Sequence, residues 1–151
     1  MRINDWERFP LVRKAISELC KPEVAQFELD ENGEIAKWFR DDLKQPTKEE
    51  IDAKIKELEV EEIKKAIEKR ADEFVQKQLK ELDYNDMGEV ALYAANSESE
   101  WHDEAVALQK WVEEVYQKMY ELEESVTIDN YNKIDLNKIE AEYPVFEKGA
   151  E

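Results

Sequence analysis

Residues 47–83, TKEEIDAKIKELEVEEIKKAIEKRADEFVQKQLKELD, contain no Pro or Gly and are dominated by Glu, Lys, Leu, Ile, Ala and Gln. Such side chains lose little rotamer freedom in a helix, so the run predicts one continuous helix. Its apolar residues are Ile51, Ile55, Leu58, Ile63, Ile67, Ala71, Phe74, Val75, Leu79 and Leu82. Spacings of mostly three and four gather them into a stripe. Thr47 stands three residues before Glu50, the capping-box arrangement, and Pro46 disfavours helix further upstream. At about 1.5 Å per residue the rod is roughly 50 Å long. Its stripe has to be covered by another element.

The expected cover is a helix over roughly 100–124. Trp101, Ala105, Leu108, Val112, Val115, Met119 and Leu122 follow a 4-3 rhythm there, a heptad seam flanked by Trp111 and Tyr116. Packed on the first rod, this seam makes a long antiparallel helical hairpin, with Trp101 and Trp111 read as core. Between the two lies a short helix, about 86–96, carrying Val90, Leu92, Tyr93 and Ala94. Asn96-Ser97-Glu98-Ser99 breaks it, and Ser99 is placed to cap the helix over 100–124.

Toward the N-terminus, Pro10 suits a first helical turn. Leu11, Val12, Ala15, Ile16 and Leu19 give the helix that starts there an apolar side, which Lys21-Pro22 ends. Residues 24–39, VAQFELDENGEIAKWF, read as a β-hairpin with strands near 25–30 and 34–39. Gly33 supplies the positive φ of the turn. Two strands alone are marginal, so the hairpin needs a cover, with Trp38 and Phe39 as its anchors. The tail after Ser125 has no sustained period and reads as an extended arm with a short helical turn at 135–141. An arm carrying Tyr131, Tyr143, Val145 and Phe146 either wraps its own body or docks on a neighbour. The expected fold is mainly α, divided into 1–46, 47–124 and 125–151.

The 39 acidic residues against 22 basic give a formal net charge of -17. Such a surface repels DNA, RNA and anionic membrane and leaves open a basic protein partner or mimicry of a nucleic acid. One cysteine, Cys20, excludes an internal disulfide and suits a reducing compartment. No apolar run of 18 residues occurs, and MRINDWERF lacks the basic-then-apolar plan of a secretory signal, which points to the cytosol.

Catalytic chemistry finds little to build on. His102 is the single histidine, so a two-histidine metal site is impossible. It reads as a surface residue in a first helical turn. Cys20 reads as a small hydrophobe rather than a nucleophile. Gly33, Gly88 and Gly149 are too scattered for a phosphate loop. Asp83-Tyr84-Asn85-Asp86 has the opening of a calcium loop, but Met87 and Ala94 stand where oxygen ligands are required. No catalytic, cofactor or metal residues are assigned, and no enzyme is expected.

Two stretches resemble a known group. FELDENGEIAKWFRDDLKQPTKEEIDAKIKELE, a hairpin ending in Trp followed by a Pro-Thr helix start, is similar to small phage tail-associated proteins of the tail-fibre-assembly type. LDYNDMGEVALYAANSESEWHDEAVALQKWVEEVYQKM resembles the C-terminal half of many such proteins, through Tyr84, Asp86, Tyr93, Ala94, Ser97, Trp101, Glu104, Ala105, Leu108 and Trp111. Asp83 departs from the pattern, which commonly has Gly there, and the first 23 residues and the tail find no counterpart. The resemblance implies no cofactor or active site. It implies a protein that binds a phage tail or fibre component, as structural adaptor or assembly chaperone, in the host cytoplasm during assembly or in the virion tail.

The expected partner-binding residues are Trp6, Trp38, Phe39, Tyr131, Tyr143 and Phe146. The alternative is an acidic mimic of DNA that blocks a host defence nuclease. Asp52, Glu61 and Glu73 have Lys four residues on, whereas Asp103, Glu104, Glu123 and Glu124 have no Lys three or four residues away. A homo-oligomer formed through the heptad seam is a third possibility.

Overall fold

A computed structural model describes residues 5–147. The protein is mainly helical, with helices α1 (Asp5–Cys20), α2 (Lys48–Glu81), α3 (Met87–Ala94) and α4 (His102–Ser125). Strands β1 (Phe27–Leu29) and β2 (Ile35–Trp38) form a two-stranded antiparallel sheet. The C-terminal arm carries two 3-10 turns, Tyr131–Lys133 and Leu136–Glu142. The short helical turn expected at 135–141 is present as the 3-10 turn Leu136–Glu142.

The chain packs as two units, residues 1–61 and 62–151, and the division falls inside α2 rather than at the expected boundaries of 46 and 124. The reason is length. At about 1.5 Å per residue α4 spans roughly 36 Å and α2 roughly 51 Å, so one helix cannot cover the other's whole stripe. The stripe itself is interrupted: no residue is buried between Leu58 and Ile67.

In the first unit, Ile51, Ile55 and Leu58 of α2 join Val12, Ala15, Ile16 and Cys20 of α1 in one core. The α1 positions follow helical spacing, which explains why so charged a segment buries one face. Helix α1 begins at Asp5, five residues before the start expected from sequence, with Pro10 inside it. A proline there removes one amide donor to the carbonyl four residues back, and its ring crowds that carbonyl. The sheet closes this core: Phe27, Leu29, Ile35, Trp38 and Leu43 pack against it. Phe27 faces Trp38 across the strands and their rings stack, centroids 6.3 Å apart.

The hairpin turn is fixed by Asp30. Its Oδ1 accepts from the amides of Asn32 at 2.9 Å and Glu34 at 3.0 Å, and its carbonyl accepts from Gly33 N–H at 3.1 Å. Gly33 takes φ 77°. At the start of α2 the capping box is complete: Glu50 N–H donates to Thr47 Oγ1 at 3.2 Å, and Thr47 N–H to Glu50 Oε2 at 2.9 Å.

In the second unit α2 and α4 run antiparallel. Phe74 meets Trp111, centroids 5.8 Å apart, and Tyr116 Oη donates to Asp72 Oδ1 at 2.6 Å. Tyr84 Oη donates to Glu104 Oε1 at 3.1 Å. The helical hairpin is thus real, but it involves α2 only from about residue 62 onward. Ile67, Ala71, Val75 and Leu79 are buried on α2, as are Ala105, Leu108, Trp111, Val112, Val115 and Met119 on α4.

Helix α2 ends in a Schellman motif, Tyr84 N–H donating to Leu79 O at 2.9 Å and Asp83 N–H to Lys80 O at 3.1 Å. Asp83 adopts φ 64°, in the left-handed region that favours glycine and that Asp tolerates better than most residues. Asp86 caps α3 by accepting from Glu89 N–H at 2.9 Å.

Candidate partner-binding surfaces

The aromatic side chains expected at contact surfaces divide sharply. Trp38 is half-buried and serves the first unit's own packing. Besides stacking on Phe27, its indole N–H donates to the carbonyls of Arg40 at 2.7 Å and Leu43 at 2.9 Å. That fixes the chain leaving β2. Phe39, the next residue, is 53% exposed. Its backbone is held as firmly, Phe39 N–H donating to Gln26 O at 2.9 Å.

Arg40 then ties this loop back to the start of the hairpin. Its guanidinium makes a two-pronged contact with Asp42, Nε to Oδ1 at 2.8 Å and Nη2 to Oδ2 at 2.7 Å. It also donates to Val24 O at 2.8 Å and contacts Glu23 at 3.4 Å. The hydrogen bonds from Arg40 hold the Asp42 carboxyl down at about 2. Phe39 therefore projects from a rigid frame, and Val24, 69% exposed, belongs to the same frame.

A cleft of about 260 Å³ opens on the same unit, lined among others by Val12, Gly33, Ile35, Gln45, Lys48 and Ile51. Its walls mix apolar side chains with the hairpin turn. Among its lining residues Lys48 Nζ donates to Glu34 Oε1 at 3.0 Å.

The arm's aromatics point inward. Tyr143 is only 3% exposed; its ring packs on Phe74, centroids 5.4 Å apart, and its hydroxyl donates to Ile67 O at 3.2 Å. Phe146 is half-buried, set edge-on to Trp111 at 5.7 Å, while Trp111 Nε1 donates to Pro144 O at 2.7 Å. Tyr131 is half-buried in the first 3-10 turn. Of the two roles open to the arm, it takes the one that covers its own unit. Tyr143 is core, not a contact residue, because α4 leaves Phe74 and Trp111 needing a third wall. The side chain of Trp6 lies outside the described residues.

Sequence reasoning misplaced Trp101. The first seam position was expected in the core, yet Trp101 is 48% exposed. It precedes the first turn of α4, at φ -97° and ψ 3°, so its side chain leaves the buried stripe. It rests instead on Tyr93, centroids 5.1 Å apart, which in turn meets Tyr84 at 6.1 Å. Ser99 Oγ accepts from Trp101 N–H at 3.2 Å, and His102 Nδ1 lies 3.3 Å from Tyr93 O. Leu92 on α3 is 65% exposed. The Ser97–Glu100 break, which puts Trp101 at a helix end, was the available signal. Of the remaining seam residues, Ala105, Leu108, Val112, Val115 and Met119 are buried and Leu122 is half-buried.

One charged feature lies across α2 and α4. Glu123 Oε1 is buried with no amide, amine or hydroxyl donor bonded to it among the described residues, and the Glu68 carboxyl beside it shares a proton with it only when one of the two is protonated. Burial, then the neighbouring Glu68 carboxyl, push Glu123 up to about 7, against the pull of Lys64. Cys20 is buried, and that burial raises its thiol.

Among the described residues no group of three His, Cys, Asp or Glu side chains is placed to hold a metal ion. None of the described helices is long and apolar enough to cross a membrane. Compared with protein-family models, with curated proteins and with solved structures, the chain finds no match.

Proposed function

We propose that this chain is a non-enzymatic, tail-associated phage protein that works by binding a tail or fibre component, as adaptor or assembly chaperone. The observation that carries the binding role is Phe39. It is a half-exposed aromatic whose two sequence neighbours, Trp38 and Arg40, are both pinned by hydrogen bonds. Preorganised aromatic anchors lose little entropy on docking and dominate binding energy at interfaces. Tail association rests on the resemblance of the two quoted stretches. The partner contacts Phe39 and Val24 on the first unit, while Trp38 holds them in place.

The test is affinity purification of tagged protein from infected or induced cells, with mass spectrometry of the eluate and of purified virions. Tail or fibre proteins in the eluate that are lost with Phe39→Ala support the reading. Presence of the chain in particles then separates an adaptor from a chaperone. The alternative, a mimic of DNA, draws on the acidic residues of α4 that lack Lys at pairing distance. A host nuclease in the eluate, insensitive to Phe39→Ala, would establish it and end the tail reading.

A further inference from the structure

Between Lys80 and Lys110 the chain has eight acidic residues and no Lys or Arg, about half of the net charge of -17 in 29 positions. This segment runs from the end of α2 through α3 and the break after it into the start of α4, with five of the eight acidic residues from α3 onward, and it also carries Trp101 (48% exposed) and Leu92 (65% exposed). The Trp101 indole is left half in water, with the Tyr93 ring beside it at 5.1 Å between centroids. We infer that the α3–α4 face is a docking surface for a basic, arginine-containing segment of a partner protein, with Trp101 receiving the guanidinium.

The occupant follows from charge and chemistry. A second copy would bring the same acidic face against itself. DNA, RNA and anionic lipid are repelled by it in the same way. A basic polypeptide is attracted, and its rate of encounter rises with the complementary field. Among cations, guanidinium stacks on an indole face while offering its N–H groups to surrounding carboxylates. Glu98 and Glu100, both exposed in the break just before Trp101, supply carboxylates within three residues of it. Leu92 supplies apolar contact for the aliphatic part of the same segment. The assignment is independent of Phe39 and of the tail reading.

The probe is a fluorescein-labelled 12-residue peptide of alternating Leu and Arg, with a Leu–Lys analogue, titrated by anisotropy with the full chain at 150 mM salt. The expected result is binding of the Arg peptide several-fold tighter than the Lys analogue. Affinity should fall about tenfold in Trp101→Ala and in the double variant Glu98→Gln/Glu100→Gln. The control Glu113→Gln/Glu114→Gln removes equal charge from exposed positions further along α4 and should stay within twofold of wild type.

Trp101→Leu keeps apolar bulk and guards against a folding defect; it should lose the preference for Arg over Lys. The Trp101 indole N–H resonance, identified by its absence in Trp101→Phe, should shift on titration with the Arg peptide. Equal losses in the two charge variants, an unmoved Trp101 resonance, or binding of a DNA duplex or anionic vesicles sensitive to Trp101 would each overturn the assignment. So would a monomer–dimer equilibrium that Trp101→Ala abolishes.

Discussion

Tyr143 of the C-terminal arm donates its hydroxyl hydrogen to the backbone carbonyl of Ile67 in α2, 76 residues earlier, at 3.2 Å. Its ring meanwhile fills the space beside Phe74. The arm is thereby an integral part of the second unit's core, and burial pushes the phenol up to about 12. Ile67 O lies mid-helix and keeps its own helical donor, so losing the hydroxyl alone is cheap. Tyr143→Phe should cost about 1 kcal/mol. Tyr143→Ala also empties the aromatic site and should cost about 3–5 kcal/mol. Amide hydrogen exchange along α4 measures both. Equal protection in wild type and Tyr143→Ala would show that the arm is dispensable to this core.

Trp38 and Phe39 are adjacent in sequence yet should respond in opposite ways. Trp38→Ala removes the stack on Phe27 and the donor to Arg40 O and Leu43 O, at a cost of about 3 kcal/mol. Trp38→Phe keeps most of the stack and isolates the hydrogen bonds, at about 1–2 kcal/mol. Phe39→Ala should leave the melting temperature within a degree or two while reducing partner capture. A Phe39→Ala variant that melts as low as Trp38→Ala would place Phe39 in the fold rather than at a contact.

These outcomes also mark where the sequence was readable. The extents of α2 and α4, the Thr47–Glu50 cap and the Gly33 turn depend on local rules acting within a few residues, and they were legible. The division of α2 between two cores was not, because a stripe reports that residues are buried and not by which partner. Only the comparison of helix lengths exposes it. Tyr143 was misassigned for a related reason. An isolated aromatic in an aperiodic segment looks the same whether it meets its own helix or another chain. Trp101 fitted the heptad rhythm, but the rhythm continues one step past the point where the helix begins.

Gly33 sits in the left-handed region and close under Phe9. A β-carbon there would lie 2.9 Å from Phe9 Cε1 and 3.1 Å from Cδ1. Gly33→Ala should therefore cost about 1–2 kcal/mol from the backbone alone, and more from displacing the ring. Replacing Phe9 by Leu removes the atoms that clash. A double-mutant cycle of Gly33→Ala and Phe9→Leu, read by urea unfolding, should show the two changes costing less together than their sum. Strict additivity would mean the ring yields freely and only the φ of 77° matters.

Glu123 should make the second unit more stable in mild acid. Its folded-state carboxyl is raised to about 7 by burial and by Glu68, against an ordinary value of 4.5. The folded state thus binds more protons than the unfolded state between those values, and stability rises as pH falls through that window. Above about pH 7 the penalty of an ionised Oε1 with no donor bonded to it is fully present; below about pH 4.5 it is gone. The groups facing it are Glu68 and Lys64 from α2, with Tyr143, whose own rise is partly due to Glu123. Asp42 titrates too low, at about 2, to act in this range. General relief of the charge of -17 acts in the same direction, so Glu123→Gln is the necessary comparison. It should be more stable than wild type at pH 8 and lose that advantage by pH 5, measured by unfolding midpoints of the second unit. Glu68→Gln, by removing the neighbouring carboxyl, should draw the window down toward 4.5. Wild type and Glu123→Gln curves that stay parallel from pH 8 to 5 would show that Glu123 is ionised in the folded protein throughout.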